Sequence, residues 1–203
     1  MSKIDIFIDY TCPWVAQIFP WIIDVLSKDK SIIVNWRSFP LEQINNELDE
    51  WKCWDQDENY ISRGLWALRG GIAARMMGDN YHNQYMAKIL NEKHVKRTDI
   101  RARRTIIEIA QKLNFPDKFT NLLDDKSRLN EISEDYMYAE SLGVFGTPTF
   151  LFDDTHVAFL KTFTPPKSDS LPFFNNFYQM AALKNYFGEL KRPQPPWPRY
   201  ARD

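Results

Sequence analysis

One residue in this chain could do nucleophilic chemistry in a recognisable setting, and it is a thiol. In Tyr10-Thr11-Cys12-Pro13-Trp14-Val15 a short run rich in β-branched and aromatic residues, Lys3 to Asp9, gives way to an amphipathic pattern with Val15, Ile18, Phe19, Ile22 and Leu26 at helical spacing. Pro13 suits the first helical position, where its missing N–H has no partner in any case. Cys12 therefore falls at about the N-cap, where unpaired N–H groups and the helix dipole favour an anion. A thiolate is such an anion, and helix N-termini are where reactive cysteines are found. The plainer reading of a lone cysteine is a small buried hydrophobe. The strand, Cys-Pro, helix order points instead to a reactive thiol that is at least partly accessible to solvent.

The remaining chemistry is thinner. Cys53, in Glu50-Trp51-Lys52-Cys53-Trp54, would resolve a mixed disulfide on Cys12 or lie inert in a core, and the second is the commoner fate. Tyr10 and Thr11 flank the thiol, and the Thr11 hydroxyl could bond a sulfur or an oxyanion. Trp14 would shield the sulfur, stack on a ligand, or pack against other helices. Lys93, His94, Lys96, Arg97, Arg101, Arg103 and Arg104 form a basic run that reads as a solvated face with balancing acids, with carboxylate recognition as the alternative. His82, His94 and His156 have no ligand-like spacing to either cysteine, so no metal is expected. No glycine-rich phosphate loop or dinucleotide fingerprint is present.

Composition narrows the class. A chain of 203 residues with 44% hydrophobic and 15% aromatic content can build one good core, with room for an inserted segment. A formal net charge of −1 argues against a nucleic-acid or acidic-membrane surface. Two cysteines are too few for a disulfide framework. No basic-then-apolar leader opens the chain, and no apolar run approaches the ~20 residues of a membrane span. The expectation is a cytoplasmic protein.

The elements that position the thiol follow in order. Ser31 to Arg37 reads as a second strand, parallel to the first because a helix joins them. From Leu41 to Leu142 the periodicity is helical and no strand is convincing. An apolar stripe at Ile61, Leu65, Leu68, Ile72 and Met76 is interrupted by Gly64, Gly70 and Gly71, which signal either a break or close packing. Further helices are expected over Asp79 to Glu92, over Thr98 to Leu113 with Thr98 or Asp99 as cap, after Pro116, and from Leu129 to Leu142 with Gly143 as the stop. Strands return at Thr149 to Phe152 and His156 to Lys161 around an acidic turn at Asp153-Asp154. Thr164 to Asp169 is a loop, and a last helix is expected over Asn175 to Leu190. The proline-rich stretch from Lys191 to Pro198 reads as an extended tail over the surface.

This order, βαβ, a helical block, then ββα, with Cys-Pro at the first helix, resembles the thioredoxin fold and its DsbA-like branch. Pro20 lies inside the first helix, where such proteins often carry a kinking proline. Ala139 to Phe150, with Gly146-Thr147-Pro148, is similar to the segment that brings their cis-proline to the active site. Trp36 to Gln43 and Glu189 to Pro193 look like a cytoplasmic subgroup, the FrnE-type and mycothiol-dependent-reductase-like proteins. The resemblance implies an α/β chain with a thioredoxin-like domain at 1–40 and 145–203 and an all-helical domain inserted at 41–144, capping a groove. It implies that Thr147–Pro148 is cis and faces Cys12. It implies too that Thr147 pairs with a substrate's backbone, with Thr11, Pro13 and Trp14 completing the substrate-binding rim. Trp51, Trp54 or Trp66 would make the groove suit an apolar substrate if they line it.

One departure bears on mechanism. The family pattern is Cys-x-x-Cys, and here Val15 holds the second cysteine position, so Cys12 cannot close a disulfide within the motif. Kappa-class glutathione transferases and hydroxychromene-carboxylate isomerases share the fold without that dithiol. The leading expectation is a thiol–disulfide oxidoreductase working through one thiol. A low-molecular-weight thiol such as glutathione or mycothiol would be its co-reductant, and a disulfide or electrophile its substrate. A kappa-like transferase or isomerase and a non-catalytic binding module are the alternatives.

Overall fold

The computed structural model describes residues 2–48, 50–57 and 59–191. The extended tail expected from Lys191 onward lies, beyond Lys191 itself, outside the described residues.

The sheet has four strands in the order β2-β1-β3-β4, formed by β1 (Ser2–Ile8), β2 (Ile32–Ser38), β3 (Thr149–Phe152) and β4 (His156–Phe159). β2 runs parallel to β1, joined to it by α1 (Pro13–Lys28), while β3 is antiparallel to β1 and β4 to β3. Alternation along β1 divides its side chains between two apolar layers. Ile4, Ile6 and Ile8 join Phe150 and Phe152 of β3 in the larger core cluster, and Phe7 joins Leu151 in a smaller one with Phe39, Tyr136 and Val144. The register agrees, since Ile4 sits opposite Phe152 and Ile6 opposite Phe150. β1 is therefore covered on both faces, and its C-terminal end is a firm place from which to launch the Cys12 turn.

The buried charge of β1 is paired across the sheet. Asp5 is buried and takes the Arg37 Nε at 2.5 Å, while Arg37 Nη1 reaches Asp135 at 2.7 Å. A buried carboxylate without such partners would carry a desolvation cost of several kcal/mol.

α1 buries Val15, Ile18, Ile22 and Val25 against the sheet, with Pro20 inside it on the exposed side. Trp21 is buried on the same helix; its Nε1–H donates to the Ser170 carbonyl at 2.9 Å and its ring meets Phe173 and Phe174. That contact fixes the last helix. Between β2 and β3 come α2 (Leu41–Ile44), a 3₁₀ turn at Cys53–Asp55, α3 (Leu65–Met77), α4 (Asp79–His94), α5 (Arg103–Lys112), α6 (Lys118–Asp124) and α7 (Ser127–Ser141). No strand occurs among the described residues of this segment. α8 (Ser170–Tyr178) follows β4 and runs into a π turn at Gln179–Leu183. No helix among the described residues is long and apolar enough to cross a membrane.

Several boundaries differ from the sequence expectation. α3 starts only at Leu65, and Ile61, assigned to its stripe, is 70% exposed ahead of it. Gly70 and Gly71 do not break the helix. A β-carbon on Gly70 would meet the Tyr85 hydroxyl, and one on Gly71 the Tyr10 hydroxyl, so both glycines serve close packing. α5 begins at Arg103 because the expected caps are spent elsewhere. Thr98 Oγ1 donates to Glu92 at 2.8 Å, and Asp99 accepts the Arg101 N–H at 3.0 Å in a turn of its own. α8 begins five residues before the expected Asn175, with Pro172 in its first turn where no N–H is needed. It gives way before Lys184, and Phe187 is exposed.

Candidate active site

The end of β1 is shaped by a carboxylate that the sequence reading passed over. Asp9 is buried, and its Oδ1 accepts the Thr11 N–H and the Thr11 hydroxyl, each at 2.7 Å, while its Oδ2 accepts the Leu41 N–H at 2.7 Å. The Cys12 N–H closes the same turn on the Asp9 carbonyl at 3.0 Å. An aspartate two residues before a threonine at a strand end is an Asx-turn signal, and it was legible. Burial raises the Asp9 carboxyl above its ordinary 3.8, against the three hydrogen bonds that lower it, and Glu42 nearby adds to the rise.

Cys12 is the N-cap of α1 (φ −80°, ψ 120°) with Pro13 as the first helical residue. Its Sγ–H points across the molecule and donates to the Thr147 carbonyl at 3.2 Å. Thr147 precedes Pro148 through a cis peptide bond. That loop is delivered by the end of α7. Gly143 adopts φ +75°, its N–H bonds the Glu140 carbonyl, and the Val144 N–H reaches back to Ala139, which is a Schellman stop.

The expected accessibility of Cys12 is corrected here. The residue is 4% exposed and Thr147 3%, because the Thr147 carbonyl sits on the sulfur and both pack into the interior. The groove expected between them is closed at this point. The Thr147 backbone faces the cysteine, and its Oγ1 is buried with no hydrogen-bond partner among the described residues. Thr11 also differs from expectation: its hydroxyl is committed to Asp9, not to the sulfur. Trp14 is half-buried and meets Phe163, on the segment after β4, with ring centroids 5.3 Å apart, so it is not packed on the inserted helices alone.

The other sequence candidates lie around this centre. Cys53 is buried beside Gln43, whose Oε1 accepts its N–H at 2.9 Å. Burial first, then Glu42 and Asp9, push its thiol far above the ordinary range. Glu42 is itself buried and accepts hydrogen bonds from Ser62, Tyr60 and the Arg63 N–H. Trp51 packs on Tyr60, Trp54 on Tyr136, and the Arg69 guanidinium lies 4.1 Å from the Trp66 ring centre. Both cysteines are free thiols. His94, from the basic run, donates Nε2–H to the Tyr10 carbonyl at 2.9 Å and so braces the turn from α4. A cleft of about 380 Å³ lies away from the thiol against β2 and α7, lined by Arg37, Arg75, Glu131 and Asp135 and by neither cysteine. Among the described residues no group of three or more His, Cys, Asp and Glu side chains could hold a metal ion.

Comparison with known proteins adds four findings. A family model described as DSBA-like thioredoxin domain matches residues 3–179. The uncharacterized protein Rv2286c of Mycobacterium tuberculosis is 27% identical over 201 residues, covering 97% of this chain and 84% of that one. Among solved structures, the cytosolic disulfide reductase DsbM of Pseudomonas aeruginosa with GSH aligns at a TM-score of 0.64 and 14% identity, covering 87% of this chain and 99% of that one. A 2-hydroxychromene-2-carboxylate isomerase aligns at 0.59 and 13% identity, covering 88% and 95%. At these identities the two structures speak to the fold alone.

Proposed function

The chain belongs to the DSBA-like thioredoxin domain family, and from that premise we propose that it is a thiol–disulfide oxidoreductase acting through Cys12 alone, with a low-molecular-weight thiol as co-reductant. The observation that carries the reading is the Cys12 sulfur at the first turn of α1, 3.2 Å from the Thr147 carbonyl beside Pro148. Val15, in the position of a second motif cysteine, is buried and apolar. Cys53 is a poor resolving thiol, since its proton is held firmly and a thiol attacks disulfides only as thiolate.

On this reading the cycle has two exchanges. The Cys12 thiolate attacks a disulfide R–S–S–R, forming Cys12–S–S–R and releasing R–S⁻. A small thiolate G–S⁻ then attacks the substrate sulfur, forming G–S–S–R and returning Cys12 as thiolate. A rotation of the cysteine side chain frees the sulfur from the Thr147 carbonyl for the first attack. The burial of Cys12 favours partners that are small or extended enough to enter. The DsbM structure with GSH supports a tripeptide thiol as the kind of partner, and a cytoplasmic setting goes with such a thiol.

The test is steady-state reduction of bis(2-hydroxyethyl) disulfide by glutathione. Wild type should turn over and Cys12→Ser should not. Turnover that survives Cys12→Ser would instead support a kappa-like transferase or isomerase, in which the small thiol's own sulfur does the chemistry. No turnover in either would leave a binding module.

A further inference from the structure

The Cys12 sulfur rests against a group that can only accept. Its hydrogen bond among the described residues goes to the Thr147 carbonyl at 3.2 Å, and a carbonyl suits a thiol but offers nothing to a thiolate. Exchange at Cys12 therefore begins with the sulfur leaving that carbonyl, and whatever holds the residue there decides how readily it leaves.

Asp9 supplies the hold. Its carbonyl accepts the Cys12 N–H at 3.0 Å, and its Oδ1 accepts the Thr11 N–H and the Thr11 hydroxyl, each at 2.7 Å. Both donors of Thr11 and the N–H of Cys12 thus end on one residue. The other oxygen of the same carboxylate is fixed by a different element, through the Leu41 N–H at 2.7 Å. The start of α3 closes over the pair: a β-carbon on Gly64 would lie 3.2 Å from the Thr11 Cγ2 and 3.3 Å from the Asp9 Oδ1. Asp9 is buried, so bulk water does not compete for these bonds.

We propose that Asp9 is a positioning residue that latches Cys12 in its resting orientation, and that losing its charge or its grip on Thr11 releases the sulfur for exchange. This rests on the reading of Cys12 as the exchanging thiol. A carboxylate accepts freely at both oxygens, whereas a carboxylic acid commits one of them to its own proton and holds three donors less well. Burial raises the Asp9 carboxyl above 3.8, which brings that change closer to neutral pH. Glu42 on α2 raises it further, and Glu42 is itself held by Ser62, Tyr60 and the Arg63 N–H. Burial chiefly, with Asp9 adding to it, keeps the protons on Cys53 and Tyr10, so neither titrates with Asp9. His94 touches the same turn from α4, at the Tyr10 carbonyl, and burial lowers it from 6.5.

The test is the rate at which 2,2′-dithiodipyridine, which reacts in acid as well as at neutral pH, modifies Cys12. The sulfur bonds one pyridylthio group, the reagent's S–S bond breaks, and the other half leaves as absorbing 2-thiopyridone. Cys12→Ser gives the blank for Cys53. At pH 7.5 Asp9→Asn should react about three- to tenfold faster than wild type, the range that one ordinary hydrogen bond spans. That advantage should shrink toward equality as pH falls through the Asp9 carboxyl, because wild type then loses the same charge. A variant that is merely loosened keeps its advantage at every pH. Thr11→Val leaves the Asp9 charge and removes one bond, so it too should react faster than wild type, with Thr11→Ser nearer to wild type. His94→Gln should keep the pH dependence. Where Asp9→Asn fails to fold, the two Thr11 variants decide alone. Equal rates for Asp9→Asn and wild type at pH 7.5, an advantage that does not change with pH, a pH dependence lost in His94→Gln, or a Thr11→Val no faster than wild type each overturn the latch. All four leave the monothiol reading standing. A Cys12 that takes up no pyridyl group in any of these proteins overturns both.

Discussion

The Asp9 carboxylate accepts the Leu41 N–H at 2.7 Å, which ties the end of the central strand to the first residue of the helical segment. The same group holds Thr11 through two further bonds, so one buried side chain sets the path of the chain into Cys12. Asp9→Ala leaves the Thr11 and Leu41 N–H groups unsatisfied, and a loss of about 2–4 kcal/mol is expected. The sign of the pH effect follows from the raised carboxyl. Below 3.8 both folded and unfolded states are protonated; as pH rises from there through the higher folded value, stability falls. Denaturant melts from pH 3 upward should show it as a difference, wild type losing stability relative to Asp9→Asn, whose amide cannot ionise.

His82 works in the opposite direction. Burial, and secondarily Arg75, lower its imidazole to about 3 from 6.5. Stability tied to the neutral ring is complete above 6.5 and drains away as pH falls toward 3, by up to roughly 4–5 kcal/mol. His82→Gln should remove most of the difference between melts at pH 4.5 and pH 7. An unchanged difference would place the acid sensitivity elsewhere.

Gly71 and Tyr10 make a prediction against simple propensity. Alanine favours a helix over glycine by about 1 kcal/mol, yet a β-carbon on Gly71 would strike the Tyr10 hydroxyl end. Gly71→Ala should therefore destabilise by about 1–2 kcal/mol net. Removing the hydroxyl with Tyr10→Phe should make the same substitution cheaper, and the double-mutant cycle reads that coupling.

What was legible in the sequence was local. The alternation in Ile4, Ile6 and Ile8, Pro13 after Cys12, and Gly143 after a helical stripe each mark their element through neighbours a few residues away, and the thioredoxin-like order follows from them. What was not legible depended on distant partners. Cys12 is buried by the Thr147 carbonyl, 135 residues along the chain. Thr98 cannot cap α5 because Glu92 already holds it, and α8 starts early because Ser170 is fixed by Trp21. For Asp9 the turn to Thr11 is a local signal, but the tie to Leu41 is not, since that residue belongs to another element.

Val15 sets the redox behaviour. With cysteine in its place, a second thiol would lie one helical turn from Cys12 and could attack a mixed disulfide without outside help. Val15→Cys should raise activity in a dithiol-type insulin-reduction assay and shorten the lifetime of any adduct on Cys12. Equal adduct lifetimes in the two proteins would show that release never depended on the missing sulfur.

The central claim is tested most directly by mass spectrometry of the wild-type protein after exposure to oxidised glutathione. The account predicts a stable adduct of one glutathione, mapped to Cys12, that persists until a free thiol is added. An intramolecular Cys12–Cys53 disulfide in place of that adduct would contradict it and make Cys53 the resolving residue.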